Sequence, residues 1–329
     1  MRLTRRSVLG GACALPVLAM PAILRAAPAP VTFLFPAPPS LPAFVPHQVA
    51  MARGYFADQG LAVTFQLGRG GADTAKQVAV GNADLGGGVG ETAMIVRANG
   101  PLVRNVVSLG SRSLFNVAMR QDQGVKTLQE LRGKKIAVIG YQDSSYYALL
   151  GVLAAVGLKR TDVQIQAVGP AGITQLIIAG SVDGIMSTPD WSDDIETAGV
   201  KLDFFEIDTV FPAMAQVVLA SDDIIKQRPE AVHGFVQAML RSLRDCIADP
   251  AEAAKTFVAA VPQYAGREAK IERILRRYVI DIYRTEPTSD LGRFDPARME
   301  RVETFLVENA IIQTAVPVAD LYTNEFVAA

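Results

Sequence analysis

The chain has 329 residues, of which 50% are apolar and 20% are charged, and its formal net charge is −1. This length and apolar content allow one or two sizeable cores, which excludes disorder along the whole chain. A net charge so close to zero gives no reason to expect nucleic acid as a partner.

The first 29 residues have the pattern of an export signal. They contain four arginines and no acidic residue. The adjacent Arg5 and Arg6, followed by an apolar segment, are typical of a twin-arginine signal. Pro16 and Pro21 interrupt that segment, which favours cleavage near residues 26–29 over a retained membrane anchor. The sequence therefore predicts a periplasmic protein whose signal, residues 1–29, is removed.

Beyond residue 30, segments with the patterns of strands and helices alternate. "VTFLF" is predicted to be a strand followed by a proline-rich loop, and "HQVAMARGYFADQ" a helix that ends at Gly60. The strands "LAVTFQL", "KKIAVIG", "VQIQAVG" and "DGIMST" follow with helices between them, and the last third is mainly helical. This alternation predicts parallel sheets that are covered by helices.

A partial repeat lies inside this pattern. "GGADTAKQVAVGNAD" matches "GPAGITQLIIAGSVD" 99 residues later, with Gly81 aligned to Gly180 and Asp84 to Asp183. Two lobes that are built from the same unit explain the match, and so does the chance recurrence of a common α/β element.

The motifs of the common enzyme and metal classes are missing from the sequence. It has no Cys-x-x-Cys, His-Glu-x-x-His or Gly-x-Ser-x-Gly pattern, and its glycine runs do not fit a dinucleotide or phosphate loop. His233 falls in an amphipathic helix and is interpreted as structural. His47, at a helix start, is interpreted as a surface residue, with a cleft position as the alternative. We therefore expect no catalysis, no metal and no cofactor.

Polar and aromatic residues gather in the turns that follow the predicted strands. Ligands of open α/β sheets bind beyond the carboxyl ends of the strands, and this mixture suits a small, partly flat molecule. The alternative is that Asp73, Ser144 and Asp190 are ordinary helix caps. The candidate ligand-binding residues are Ser40, Phe44, Asp73, Glu91, Thr92, Arg112, Phe115, Tyr141, Asp143, Ser144, Ser145, Asp190 and Trp191.

The segment "PDWSDDIE" raises two further questions. Its Trp191, the only tryptophan, falls in a predicted turn and either stacks on a ligand or packs at the surface of a lobe. Its four acidic residues match no calcium loop, so we interpret them as a solvated helix start.

Five stretches spread over residues 50–327 carry a family resemblance: "ARGYFADQGLAV", "GGADTAKQVAVGNADLG", "GVKTLQELRGKKIAVIG", "AGITQLIIAGSVDGIM" and "VPVADLYTNEFV". In this order and spacing they resemble the extracytoplasmic substrate-binding proteins of ABC importers. The type is the one that handles nitrate, sulfonates, taurine and thiamine pyrimidine precursors. The resemblance implies an α/β, two-lobed periplasmic-binding-protein fold (type II) with two hinge crossings and a helical C-terminal part.

The resemblance also implies how the lobes and partners are arranged. The crossings are expected at "SLFNVAMR" and "FPAMAQVVLA". Lobe 1 is then 30–118 with 214–329, and lobe 2 is 119–213. A monomer is expected to close on its ligand and to meet an inner-membrane permease with its cytoplasmic ATPase. A sensor that is paired with a membrane kinase stays open as an alternative.

The charges in the predicted turns bear on the ligand. In relatives, the turn that matches "GYQDSSYY" commonly holds the ligand, so Ser144 and Ser145 are expected to donate to it. Asp143 in the same turn would repel a sulfonate. The hypothesis is therefore an aminopyrimidine-like heterocycle stacked on Tyr141 or Trp191.

Two other ligand and function classes remain as alternatives. One is an alkanesulfonate, taurine or an aromatic acid that is paired with Arg112. The other is a thiamine-pyrimidine synthase-like enzyme, which the export signal and the lack of a cysteine-rich run disfavour.

Overall fold

A computed structural model describes residues 27–284 and 290–328. Residues 1–26, which make up nearly all of the predicted export signal, lie outside the described residues. The strands are β1 (Ala29–Phe35), β2 (Leu61–Leu67), β3 (Leu85–Val89), β4 (Val103–Ser108), β5 (Asn116–Arg120), β6 (Lys135–Val138), β7 (Gln164–Ala167), β8 (Gly184–Ser187), β9 (Leu202–Glu206) and β10 (Gln216–Ser221).

Helices surround these strands and dominate the C-terminal part. They are α1 (Val45–Ala52), α2 (Tyr55–Asp58), α3 (Gly71–Ala79), α4 (Glu91–Arg97), α5 (Ser144–Ala155), α6 (Gly169–Ile178), α7 (Pro189–Thr197), α8 (Asp222–Gln227), α9 (Pro229–Ala248), α10 (Pro250–Ala260), α11 (Glu268–Tyr278), α12 (Pro296–Glu308) and α13 (Val318–Leu321). Within the described ranges, none of these helices is long and apolar enough to cross a membrane.

The strands form two five-stranded sheets of matching design. The first has the order β2-β1-β3-β10-β4 and the second β7-β6-β8-β5-β9. In each sheet one strand, β10 or β5, runs antiparallel to both of its neighbours. The prediction of purely parallel sheets is therefore wrong at these two strands. Each is the first strand that the chain forms after it arrives from the other sheet, so it enters from the opposite side.

The chain changes sheets twice, between β4 and β5 and between β9 and β10. The crossing segments, 109–115 and 207–215, are bonded to each other: Leu114 N donates to Met214 O at 3.3 Å. The predicted division after residue 118 falls inside β5, which pairs with the second sheet along its whole length. We call the elements around the first sheet the first lobe and those around the second sheet the second lobe.

The sequence repeat corresponds to the same structural unit in both lobes. One copy runs from β2 through α3 to β3, and the other from β7 through α6 to β8. The aligned aspartates make the same bond, because Asp84 Oδ2 accepts from Thr32 N and Asp183 Oδ2 from Lys135 N, both at 2.7 Å. Each aspartate ties the start of one central strand to its neighbour, which favours a common unit over chance recurrence.

Glycines at the helix ends and the packing of α9 together position the segments around β1 in the first lobe. The single helix predicted over "HQVAMARGYFADQ" is two helices, because Gly54 adopts φ 72° between α1 and α2. Gly60 ends α2 as predicted, with φ 70°. The apolar face of α9 packs on this region, and its Phe235 ring stacks on Phe33 and Phe56 at centroid distances of 5.2 and 4.8 Å. These contacts fix the end of β1 from which the site is built.

Candidate functional site

A cleft of about 590 Å³ lies between the two sheets, beside the crossings. The first lobe contributes the ends of β1 and β3 and the start of β10, and the second lobe contributes the starts of α5 and α7. The lining residues are Phe33, Pro36, Ala37, Leu41, Ala43, Phe44, His47, Gly87, Gly88, Val89, Leu114, Phe115, Ile139, Asp143, Ser144, Thr188, Asp190, Trp191, Gln216 and Val217.

Six of the thirteen residues that were predicted from the turns line this cleft. They are Phe44, Phe115, Asp143, Ser144, Asp190 and Trp191. Trp191 is 5% exposed and lies in the first turn of α7, so the prediction that it sits in a turn is wrong. Pro189 begins that helix two residues earlier, as proline does in the first turn. Phe33, Phe44, Phe115 and Trp191 are the aromatic residues of this lining.

Asp143 lies where two helix starts meet. Its Oδ1 accepts from the Ser145 N–H at 2.8 Å and from the Ser145 hydroxyl at 2.6 Å. The backbone N–H groups of Ser144 and Gly71 also act on this carboxylate, in the direction that lowers its pKa. Burial raises the pKa of Asp143, while these hydrogen bonds act in the opposite direction. The carboxylate thus caps α5, the role that the alternative interpretation gave to its neighbour Ser144. It also lies against the start of α3.

The close approach of the two lobes here depends on small residues. A Cβ at Gly71 would lie 2.5 Å from Ser144 Oγ, and a Cβ at Gly70 would lie 2.9 Å from the carbonyl oxygen of Gln142. The contact at Gly70 is with backbone, so a Cβ there would require movement of the second lobe, whereas the Ser144 hydroxyl could rotate away from a Cβ at Gly71. The Gly70–Gly71 pair therefore brings the start of α3 against the turn before α5.

Ser144 and Ser145 have different surroundings, although they are adjacent. Ser144 lines the cleft, and its Oγ lies 3.5 Å from Thr92 Oγ1. Ser145 is fully buried outside the lining. Its hydroxyl donates to Asp143 and accepts from the Ile139 N–H, so it has no group left for a ligand. Of the two, Ser144 is the one that can reach a bound molecule.

Asp190 is held in the cleft wall by two hydroxyl groups. Thr188 Oγ1 donates to Asp190 Oδ1 at 2.6 Å, and the Tyr278 hydroxyl donates to the same oxygen at 2.7 Å. Burial raises the pKa of Asp190, and the same bonds oppose that shift. Tyr278 ends α11, so this contact joins the C-terminal helices to the second lobe.

The structure places the other predicted residues outside the lining. Arg112 pairs with Glu206 at 3.2 Å and with Asp208 at 3.6 Å, and it lines a separate polar cavity. Tyr141 is 48% exposed, and its hydroxyl bonds to the carbonyl of Ile165. Ser40 is partly buried in the loop after β1, and Asp73 accepts from the Arg69 N–H.

Glu91 and Thr92 support the cleft from behind. Thr92 Oγ1 accepts from the Val89 N–H at 3.0 Å, and Glu91 Oε1 accepts from the Met214 N–H at 3.0 Å. Burial raises the pKa of Glu91 to about 7. Glu91 therefore fixes the second crossing to the start of α4 rather than facing the cleft.

Three polar residues of the lining, His47, Thr188 and Gln216, were not among the thirteen. His47 is 3% exposed, so the surface interpretation is wrong, and the rings of Phe33, Phe35 and Phe44 surround it. Gln216 is 5% exposed at the start of β10. A signal for it existed in the sequence, because it is one polar residue inside the apolar run "AMAQVVLA".

The charges of the lining have one sign. Within the part of the chain that the structure describes, it contains the carboxyl groups of Asp143 and Asp190 and no lysine or arginine. Burial lowers the pKa of His47 to about 3, so its imidazole is neutral at neutral pH. The cleft thus offers no cation to a ligand.

Three of the four acidic residues of α7 are ion-paired; Asp194 and Glu196 stay 42% exposed, whereas Asp193 is buried, which corrects the solvated interpretation for that residue. Asp193 pairs with Arg273, Asp194 with Lys270, and Glu196 with Arg277. All three cations lie on α11. The described residues contain no group of three or more histidine, cysteine, aspartate or glutamate side chains that could hold a metal ion.

Comparison with known proteins gives a family match and several relatives. The family model described as NMT1/THI5 like matches residues 41–253. The riboflavin-binding protein RibY of Chloroflexus aurantiacus is 28% identical over an alignment 337 residues long, gaps included. The alignment covers 96% of this chain and 93% of RibY. The 4-amino-5-hydroxymethyl-2-methylpyrimidine phosphate synthase THI13 of Saccharomyces cerevisiae is 24% identical over 247 residues, 71% of this chain and 72% of the synthase.

Solved structures show the same fold. The alkanesulfonate-binding protein SsuA from Xanthomonas axonopodis pv. citri, bound to MOPS, superposes with a TM-score of 0.69 at 20% identity. The match covers 91% of this chain and 99% of that protein. These similarities confirm the predicted family resemblance and the two-lobed α/β periplasmic-binding-protein fold.

Proposed function

The chain belongs to the NMT1/THI5-like family, and we propose that it is the solute-binding component of an ABC importer. It captures a small organic molecule between its two lobes and delivers it, in a closed form, to an inner-membrane permease with a cytoplasmic ATPase. The names of its relatives RibY and SsuA support a binding role. The protein acts in the periplasm as a monomer, after removal of its export signal.

The ligand is a neutral, planar nitrogen heterocycle. The observation that carries this proposal is the lining of the cleft, which combines aromatic walls with carboxyl, hydroxyl and amide groups but no lysine or arginine among the described residues. An anion buried in such a cleft would lack a partner charge, which costs several kcal/mol or forces protonation. Ring nitrogens and amino groups can instead donate to the acceptors present.

The position of Asp143 supports the same ligand class. Helix starts are ready-made anion sites because their N–H groups and dipoles favour negative charge. Here the starts of α3 and α5 meet, but the Asp143 carboxylate already accepts from the Ser145 N–H of α5 and lies against the start of α3. The protein therefore supplies its own acid where a sulfonate would bind, and a sulfonate ligand is disfavoured.

The relatives narrow the choice of heterocycle. RibY is named for riboflavin, and the THI13 synthase for an aminopyrimidine. A flavin ring system contains a pyrimidine ring with an N–H donor flanked by carbonyl acceptors, so both molecules present a pyrimidine edge. We propose that this edge is the shared feature that the cleft recognises.

The proposal is tested first by native mass spectrometry of the mature protein, purified gently from its own exported compartment. Isothermal titration with riboflavin, 4-amino-5-hydroxymethyl-2-methylpyrimidine, taurine, MOPS and benzoate follows. We expect binding of riboflavin or the pyrimidine and none of the sulfonates or benzoate. Binding of a sulfonate or benzoate in preference to both heterocycles would contradict the proposed ligand class.

We propose binding rather than synthesis, although one relative is a synthase. The sequence has no cysteine-rich run, and Cys246 is buried in the described structure. The decisive assay incubates the protein with pyridoxal phosphate and iron and searches for a pyrimidine product by mass spectrometry. Product formation that depends on the protein would contradict a purely binding role.

A further inference from the structure

His47 is a buried polar group without a hydrogen bond. Its ring lies 5.0 Å from the Phe33 ring centroid, 5.0 Å from that of Phe35 and 5.9 Å from that of Phe44. In the described part of the chain, neither ring nitrogen has a partner. Leaving a buried donor and acceptor unpaired is unfavourable, because each group has lost its hydrogen bonds to bulk water. A neutral imidazole in the lining of a cleft can recover this loss from a molecule that binds there.

Gln216 has the same property at one of its two polar atoms. Its Nε2 donates to the Ala43 carbonyl at 3.1 Å, while its Oε1 is buried without a partner among the described residues. The bond to Ala43 fixes the orientation of the amide, so the oxygen is the free end. Ala43 is four residues before His47, so one segment positions both side chains.

We propose that His47 and Gln216 are a specificity-determining pair that reads the hydrogen-bonding edge of a planar heterocycle. Gln216 Oε1 accepts from a ring N–H or amino group, and the imidazole of His47 donates to a ring nitrogen or carbonyl. This inference rests on the proposed function. A sulfonate group cannot satisfy Gln216 Oε1, because it has no hydrogen to donate.

A binding role and a structural role predict opposite effects on the free protein. A group that stabilises the fold through a hydrogen bond weakens the fold when it is removed. An unpaired buried group has no such bond, so an apolar replacement of equal shape leaves the fold equally or more stable. His47 should therefore contribute to affinity and not to the melting temperature of the free protein, whereas removal of Gln216 also breaks its Nε2 bond to Ala43 and should lower that temperature.

The test compares His47→Phe and Gln216→Met with matched controls elsewhere on the first lobe. His233→Phe changes the other histidine, and Gln237→Met changes a glutamine whose amide bonds to the Phe326 carbonyl on the outside of the lobe. Titration with riboflavin and 4-amino-5-hydroxymethyl-2-methylpyrimidine gives Kd, and calorimetry gives Tm without ligand. We expect about tenfold weaker binding for each cleft variant, the value of one hydrogen bond. Tm should be unchanged or higher for His47→Phe and lower for Gln216→Met, which also loses the bond to Ala43. The controls should keep the wild-type Kd.

A ligand-side probe covers the case in which a variant does not fold. Riboflavin methylated at N3 lacks the ring N–H, so the wild-type protein should bind it about tenfold more weakly than riboflavin. Unchanged Kd values in both cleft variants, or equal binding of riboflavin and its N3-methyl form, would overturn the pair and leave the proposed function standing. Failure of the wild-type protein to bind either heterocycle would overturn both.

Discussion

Arg273 of α11 and Asp193 of α7 form a two-point ion pair that joins the first lobe to the second. Nε lies 2.6 Å from Oδ1, and Nη2 lies 2.9 Å from Oδ2. The Asp193 side chain is 5% exposed, so it depends on this partner. Lys270 and Arg277 pair with the same acidic run, and their spacing places all three cations on one face of α11. The attraction between the acidic residues of α7 and the cations of α11 therefore favours the closed arrangement of the two lobes.

Loss of this ion pair is expected to favour an open arrangement of the lobes. Arg273→Met leaves the Asp193 carboxylate buried without its partner, whereas the Arg273 side chain is 54% exposed and solvent moderates the effect. We expect a larger radius of gyration for the free variant in small-angle X-ray scattering at low salt. High salt should shift the wild-type protein in the same direction.

Arg276→Met is the matched control for this experiment. Arg276 lies on the same helix but pairs with Glu272 of its own helix. Its removal leaves the contact between the lobes intact, so the scattering curve should not change. Equal curves for both variants and the wild-type protein would show that the pair does not hold the lobes together.

Asp143→Ser is expected to convert the cleft into an anion site. Serine is also a good helix cap, so α5 keeps its start and stability falls by at most about 1 kcal/mol. The N–H groups of Ser144 and Gly71 then become available to an oxyanion. The variant should show a melting shift with MOPS or taurine that the wild-type protein does not show.

Asp295→Ser controls for the change of cap alone. Asp295 caps α12 by accepting from the Ala297 N–H at 2.9 Å, away from the cleft. It should gain no sulfonate binding. If Asp143→Ser also gains none, the built-in carboxylate is not what excludes sulfonates, and the argument for a neutral ligand loses this support.

Glu91→Gln should stabilise the protein at high pH and change it little at low pH. Burial raises the pKa of Glu91 to about 7 from the usual 4.5. The folded state therefore binds more protons between these values, and the contribution of Glu91 to stability is lost as pH rises through 7. From pH 5 to pH 8, the variant should gain on the order of 3 kcal/mol in unfolding free energy relative to wild type.

Urea unfolding of both proteins at pH 5, 6.5 and 8 measures this change. Arg298 and Asp208 lie near Glu91, and their opposite charges act on its pKa in opposite directions. A difference between the variant and the wild-type protein that stays constant over the three pH values would contradict the raised pKa.

The repeat and the strand ends were within reach of sequence reasoning, because they depend on local chemistry. Asp84 and Asp183 occupy equivalent positions in the two copies of the repeat. In any open α/β sheet, residues that follow the strands, here Phe44, Asp143 and Asp190, lie at the same edge of the sheet. The direction of β10 and β5 could not be read locally. It follows from the side on which the chain returns after each crossing, which no residue within the strand records.

The environments of His47 and Asp193 depend on segments that are distant in the sequence. His47 is buried because β1 supplies two phenylalanine rings, Phe33 and Phe35, from the other side of the proline-rich loop. Asp193 is paired because α11 brings Arg273 from 80 positions further along the chain. A helix start with acidic residues looks the same whether solvent or arginine covers it, so only the tertiary structure distinguishes the two cases.

His47→Phe should remove an acid sensitivity that the wild-type protein has. Burial lowers the pKa of His47 to about 3 from the usual 6.5, so the unfolded state binds more protons between these values. Stability that is complete above pH 6.5 is therefore lost as pH falls toward 3. At pH 5 this amounts to about 2 kcal/mol. The variant should gain that much relative to wild type between pH 8 and pH 5, measured by urea unfolding with His233→Phe as the control. A wild-type protein that loses no more stability than the variant over this range would show that His47 is not buried as a neutral group, and its place in the binding pair would fall with it.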